Sequence, residues 1–200
     1  MMPTIRFDEH GLAPCIMQDA VTGEVLTLAY VNEEALERTR ETGEMHFWSR
    51  SRQELWRKGE TSGNAMRVRA LRYDCDEDAV LALVDPTGPA CHTGERTCFY
   101  RGDMEPVEAE ALPALERTIG ERRGADATQS YTAELLAEPP RIGEKVREEA
   151  EEVTRAAADE SDERVREEAA DVLYHLAVLL ASRDLGLTDA LKVLNARRRA

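Results

Sequence analysis

Cys75, Cys91 and Cys98 are grouped in the middle of a 200-residue chain whose fourth cysteine, Cys15, stands apart as a small apolar residue. Thiolates are soft donors that favour zinc, and three protein ligands leave a fourth tetrahedral position for a water whose pKa the ion lowers toward neutrality. Cys91 and Cys98 enclose a short loop, flexible at Gly94, that lets both sulfurs reach one ion. His92, beside one of these ligands, is placed to move protons. The same spacing also suits a closed structural zinc site with His92 as fourth ligand, or thiols that are merely buried.

Asp74, Asp76 and Asp78 alternate around Cys75 at the end of an apolar segment. In extended backbone the aspartates share one side and Cys75 takes the other, which separates hard oxygen ligands for Mg2+ from a soft sulfur ligand for zinc. A solvated acidic turn at a strand end reads the same way. Upstream, WSRSRQELWRKGETSGN at 48–64 gathers Arg50, Arg52, Arg57 and Lys58, then Gly59, Thr61, Ser62, Gly63 and Asn64. Cations and closely approaching backbone N–H groups would make this a phosphate grip, with Arg50, Arg52, Lys58, Thr61 and Ser62 on the substrate. A basic surface turn with Trp48 and Trp56 packed inward explains these residues equally well.

A second acidic set lies far along the chain. Glu148, Glu149 and Glu152 share a helical face, as do Glu168 and Asp171, so two facing helices can hold Mg2+ between them. Such an ion would bridge a pyrophosphate group and activate water for attack on phosphorus. A solvated glutamate-rich face paired with Lys145, Arg147 and Arg155 is the plainer alternative.

These residues need different scaffolds. From Ile5 to about Arg101, β-branched and aromatic residues alternate with glycine turns, and the pattern predicts strands near 25–30, 65–73 and 80–84, with Asn32 capping a short helix to about Thr39. After a polar turn at 102–106 the chain becomes rich in Ala, Leu, Glu and Arg, which predicts a boundary between domains 1–106 and 107–200. Leu112, Leu115 and Ile119 keep a helical period, and Ser130 caps a helix that Pro139 and Pro140 stop. Long helices follow at about 142–158 and 163–183, the second with an apolar stripe of Val165, Ala169, Val172, Leu176 and Leu179, and after Gly186 a last short helix is capped by Thr188. The expected fold is a β-rich α+β domain with small helices, then an all-α helical bundle.

With 42% hydrophobic and 33% charged residues the chain has enough apolar material to fold rather than remain an acidic polymer. A net charge of -14 argues against a nucleic-acid surface, so an anionic substrate must be gripped locally or through metal ions. The longest apolar run, 172–181, is broken by His175 and falls far short of the roughly 20 residues that cross a bilayer. The amino terminus carries no apolar stretch of the export kind, and the cysteines read as reduced, so the expectation is a cytoplasmic protein with no membrane partner.

WSRSRxxLWxKGxTSGN, DCDxD and ACHTGxxxCF, in that order, resemble phosphoribosyl-AMP cyclohydrolase over nearly all of residues 5–101. The resemblance implies hydrolytic opening of the adenine ring of phosphoribosyl-AMP, with zinc on Cys75, Cys91 and Cys98, Mg2+ on Asp74, Asp76 and Asp78, and His92 as acid or base. It also implies a homodimer whose zinc site takes cysteines from both subunits. SYTAELL at 130–136, KVREEAEEV at 145–153 and EEAADVLYHLAVLL at 167–180 resemble phosphoribosyl-ATP pyrophosphohydrolase over about 110–198. That likeness implies Mg2+ on Glu148, Glu149, Glu152, Glu168 and Asp171, with Lys145 as a phosphate contact. His175, one turn beyond Asp171, either faces the same cleft or takes a plain core or surface position. Glu134 stands where that family usually has lysine, and Arg147 where a glycine usually precedes the paired glutamates. The combined expectation is a bifunctional hydrolase of histidine biosynthesis, and the alternative is a cyclohydrolase whose helical half only drives oligomerisation.

Overall fold

A computed structural model of the chain describes residues 5–103 and 105–198; residues 1–4 at the amino terminus, Met104 of the polar turn and residues 199–200 lie outside it. The chain divides into two compact units, Met1–Glu105 and Pro106–Ala200.

In the first unit β1 (Ala13–Asp19), β2 (Val25–Val31), β5 (Met66–Tyr73) and β6 (Val80–Pro86) form a four-stranded sheet in the order β2-β1-β6-β5, and β3 (His46–Ser49) pairs with β4 (Glu54–Arg57) as a separate ribbon. β1 runs parallel to β6; the β1–β2, β5–β6 and β3–β4 pairs are antiparallel. Alternation decides what each strand buries. Ala13, Cys15, Met17 and Asp19 of β1 and Val80, Ala82 and Val84 of β6 face inward. All but Asp19 join Leu26, Leu36, Met45, Phe47 and Met66 in one core. α1 (Glu33–Thr42) starts where the Asn32 side chain accepts the Ala35 N–H at 2.8 Å and ends at Gly43 in the left-handed region, three residues beyond the expected stop.

Sequence pattern found β2, β5 and β6 but not β1, β3 or β4. In β1 the most strand-like residue, Ile16, lies on the less buried face, while Cys15 and Met17 take the core. β3 and β4 are only four residues each, too short to show a period.

The second unit is helical: α2 (Ala111–Arg122), α3 (Tyr131–Ala137), α4 (Pro139–Asp159), α5 (Asp162–Ala181) and α6 (Leu187–Arg197). Ser130 caps α3 as expected, its hydroxyl accepting the Ala133 N–H. Pro139 and Pro140 end α3 and also begin α4, where the missing N–H is harmless. α4 and α5 are joined only through Glu160 and Ser161, so they run antiparallel, with Ile142 and Val178 in the same core. α6 begins two residues earlier than expected: Gly186 is its N-cap, and the Gly186 N–H donates to the Asp189 carboxylate at 3.0 Å, which leaves Thr188 inside the first turn.

Phe47 is fully buried and its ring centroid lies 5.3 Å from that of Trp56. Phe47→Ala should therefore cost about 3–5 kcal/mol, seen as a lower urea midpoint when unfolding is followed by tryptophan fluorescence. At α6, the Gly186 N–H, followed by Lys192, holds the Asp189 carboxyl below the usual carboxylate range. Its contribution is complete above about pH 4 and lost as pH falls through the lower folded value, so Asp189→Asn should flatten that part of the acid-unfolding profile.

Candidate metal and substrate sites

Backbone bonds shape the thiol loop. The Ala90 N–H donates to the Arg96 carbonyl and the Cys91 N–H to the Glu95 carbonyl, both at 3.0 Å, while Gly94 turns the chain with φ +92°. The Cys98 N–H donates to the Leu26 carbonyl at 2.8 Å, fastening the end of the loop to β2. Cys91 is buried and Cys98 exposed, and Cys98 is near enough to act on the Cys91 thiol. The Thr93 hydroxyl donates to Cys91 Sγ at 3.0 Å, and this bond above all lowers the Cys91 pKa. His92 is exposed, with Nδ1 3.9 Å from the same sulfur.

Lys58 joins this group. Its ammonium donates to the Ala90 carbonyl, and both Cys98 and Cys91 favour its charge, although burial pulls its pKa down more strongly. The other cations of the basic segment go elsewhere. Arg50 stacks on Tyr30, Arg52 pairs with Glu54 at 3.1 Å, and Arg57 pairs with Glu44 at 2.6 Å. Thr61 and Ser62 are exposed in the turn after Gly59, where φ is +86° and a Cβ would collide with the Asn64 backbone.

Cys75 keeps company with acids rather than with the other cysteines. Asp74, Asp76 and Asp78 bring one carboxylate oxygen each to within 4.8 Å of one another, and among the described residues no such set includes a thiol. The segment is not extended as expected. The Asp74 carboxylate accepts the N–H groups of Asp78 and Ala79 at 2.9 and 3.1 Å, and Glu77 turns with φ 64°, so a tight turn makes the aspartates converge. The Ala79 bond leads in holding Asp74 below the usual range; the bond to Asp74, then the charge of Asp76, raises Asp78. Arg6 pairs with Asp76 at 3.2 Å and Asp78 at 3.8 Å.

The helical carboxylates divide. Glu149 and Glu168 are buried, Glu152 is half-buried, and the three offer oxygens within 4.8 Å of one another. Glu148 points outward to Lys145 at 2.8 Å, and Asp171 is exposed and outside the trio. Ile142, Glu149 and Ala156 are the buried residues of α4, a seven-residue spacing that places a glutamate where a seam normally takes an apolar side chain. Each carboxylate has a cation at its rim: Lys145 at 3.6 Å from Glu149, Arg155 at 3.3 Å from Glu152, and Arg164 on Glu168. Burial nevertheless raises the Glu168 pKa, Arg164 opposes it, and the neighbouring Glu152 and Glu149 add to it. Sequence reasoning missed Arg164 as a partner, although its spacing of four from Glu168 was readable.

The two departures from the family pattern fall harmlessly for this trio. Glu134 pairs with Arg141, and Arg147 lies exposed beside Gly143, away from the buried side of α4. The donors suit the groups that the residues call for: hard oxygens spaced for a cation that binds at about 2.0–2.6 Å, and a pair of soft thiols short of a full zinc set.

Phosphoribosyl-AMP cyclohydrolase matches residues 27–100 and phosphoribosyl-ATP pyrophosphohydrolase matches residues 112–198. The histidine biosynthesis bifunctional protein HisIE of Bacillus subtilis is 51% identical over 197 residues, covering 96% of this chain and 94% of its own. Its counterpart in Gloeobacter violaceus is 50% identical over 199 residues, 97% of this chain and 90% of that one. The one in Thermus thermophilus is 50% identical over 203 residues, 99% and 94% of the two chains. With both enzymatic domains matched in order and relatives similar over nearly their whole length, the chain belongs to the family of bifunctional histidine-biosynthesis proteins, a cyclohydrolase followed by a pyrophosphohydrolase.

Proposed function

We propose that the helical unit cleaves phosphoribosyl-ATP to phosphoribosyl-AMP and pyrophosphate, and that the first unit then opens the adenine ring of that product. The observation that carries the first half is the buried trio of Glu149, Glu152 and Glu168, whose facing oxygens suit Mg2+. Glu148 and Asp171 would contribute from the rim, and Lys145, beside Glu148, is positioned for a phosphate oxygen. In the first unit Cys75, Cys91 and Cys98 would hold zinc, and Asp74, Asp76 and Asp78 would hold Mg2+.

Zinc bound there supplies a water of lowered pKa, and Mg2+ neutralises phosphate oxygens. The protein's own residues do the rest. His92, exposed beside Cys91, exchanges protons at the purine ring. Lys58 keeps a positive charge against the two thiols, while Arg50, Arg52, Thr61 and Ser62 receive the phosphate.

One chain supplies a close pair of thiols, with Cys75 among the aspartates, so the complete zinc set takes Cys75 from a second subunit, and the working form is a homodimer. Its partners are small nucleotides, and it acts in the cytoplasm, where the four free cysteines stay reduced. No helix is long and apolar enough to cross a membrane.

Incubation with phosphoribosyl-ATP, Mg2+ and zinc, following pyrophosphate and ring-opened product together, tests both steps. Glu149→Gln should cut pyrophosphate release at least about a hundredfold, about 2.7 kcal/mol in the barrier, and leave ring opening of supplied phosphoribosyl-AMP intact. Unchanged release would assign the helical unit to subunit association instead. Cys91→Ser should do the reverse. Chelation should silence both steps, with zinc needed to recover ring opening and Mg2+ sufficient for pyrophosphate release; recovery of ring opening by Mg2+ alone would overturn the zinc assignment.

A further inference from the structure

α5 buries a histidine that the carboxylate trio does not use as a ligand. His175 is 5% exposed, and its ring is fixed from three sides. Nδ1 lies 3.0 Å from the Asp171 carbonyl oxygen, and Nε2 lies 3.3 Å from the Tyr131 hydroxyl. Tyr131 and Tyr174 meet the ring edge-on, with centroids at 6.1 and 5.0 Å. A carbonyl can only accept, so Nδ1 carries a hydrogen toward Asp171, while the Tyr131 hydroxyl, able to donate or accept, holds Nε2.

So held, Nδ1 stands 3.6 Å from Glu149 Oε1, the same oxygen that Lys145 approaches at 3.6 Å. A buried carboxylate is costly unless its oxygens are oriented and compensated. If filling space were the only need, an aliphatic residue would serve beside Ala177 and Val178 without burying two ring nitrogens.

We propose that His175 is a positioning residue for the pyrophosphohydrolase site: fixed by the Asp171 carbonyl and the Tyr131 hydroxyl, it turns the Glu149 carboxylate toward Glu152 and Glu168. The inference rests on the reading of that trio as a divalent-cation site. His175 touches neither ion nor substrate; it acts through Glu149, as outer partners of metal ligands do, where their loss weakens metal affinity roughly ten- to a hundredfold.

The test is Mn2+ uptake by the metal-stripped full chain, read from the electron paramagnetic resonance of free Mn2+, with Glu149→Gln defining what other sites take up. His175→Leu, which keeps apolar volume, should weaken the Glu149-dependent binding roughly ten- to a hundredfold. His175→Asn, which keeps a donor near the Nδ1 position, should recover most of it, and Tyr131→Phe, which deletes one hydroxyl from a partly exposed ring, should weaken it a few-fold. Ring opening in the first unit should be unchanged in all three.

Binding by His175→Leu equal to the unsubstituted protein, whatever its thermal midpoint, would reduce His175 to a packing role. Equal weakness of the Asn and Leu variants would likewise overturn the proposal, because the donor would not be what matters. Should His175→Leu fail to fold, Tyr131→Phe decides alone, with unaltered binding contradicting the proposal. Uptake by the unsubstituted protein no greater than by Glu149→Gln is a separate result; it removes the cation site itself and this inference with it.

Discussion

Carboxylates that face one another inside a helix seam repel in a medium that screens them poorly, and the α4–α5 pair is built around that repulsion. Glu149 and Glu168 are nearly as buried as the apolar residues around them, and Glu152 closes the group. Lys145, Arg155 and Arg164 each pair with one of the three carboxylates. Replacing buried charges by an apolar seam is often neutral or stabilising, so the proposed divalent cation would give this cluster a purpose that folding does not supply. The prolines open α4, and the short Glu160–Ser161 turn, whose Ser161 hydroxyl accepts the Arg164 N–H, starts α5 back alongside it.

The first unit holds two separate polar groups, the Cys91–Cys98 thiol loop and the acidic turn that also carries Cys75. The loop from Ala90 to Cys98 is pinned to β2, and the β5–β6 turn gathers the aspartates through hydrogen bonds to the Asp74 side chain. The thiol pair, half-buried Lys58 and exposed His92 lie side by side along the thiol loop.

Much of this was legible in the residues. The three named motifs in the first half and the glutamate spacing in the second pointed to both chemistries, and Asn32 and Ser130 cap the helices they were expected to cap. What stayed hidden was non-local. Nothing near Lys58 announces that it turns to the Cys91 loop instead of to Thr61 and Ser62, and nothing near His175 announces Tyr131, 44 residues away. Spacing alone also grouped Glu148 and Asp171 with the other acids, whereas burial separates them, because a seam admits one line of side chains from each helix. The aspartates do converge, but through a tight turn with left-handed Glu77 rather than through the expected extended strand.

The most direct test of this account is anomalous X-ray scattering from crystals of the full chain soaked in Mn2+. The account predicts a strong difference peak bounded by oxygens of Glu149, Glu152 and Glu168. Well-ordered side chains at those positions with no peak among them, in crystals that take up Mn2+ elsewhere, would contradict it.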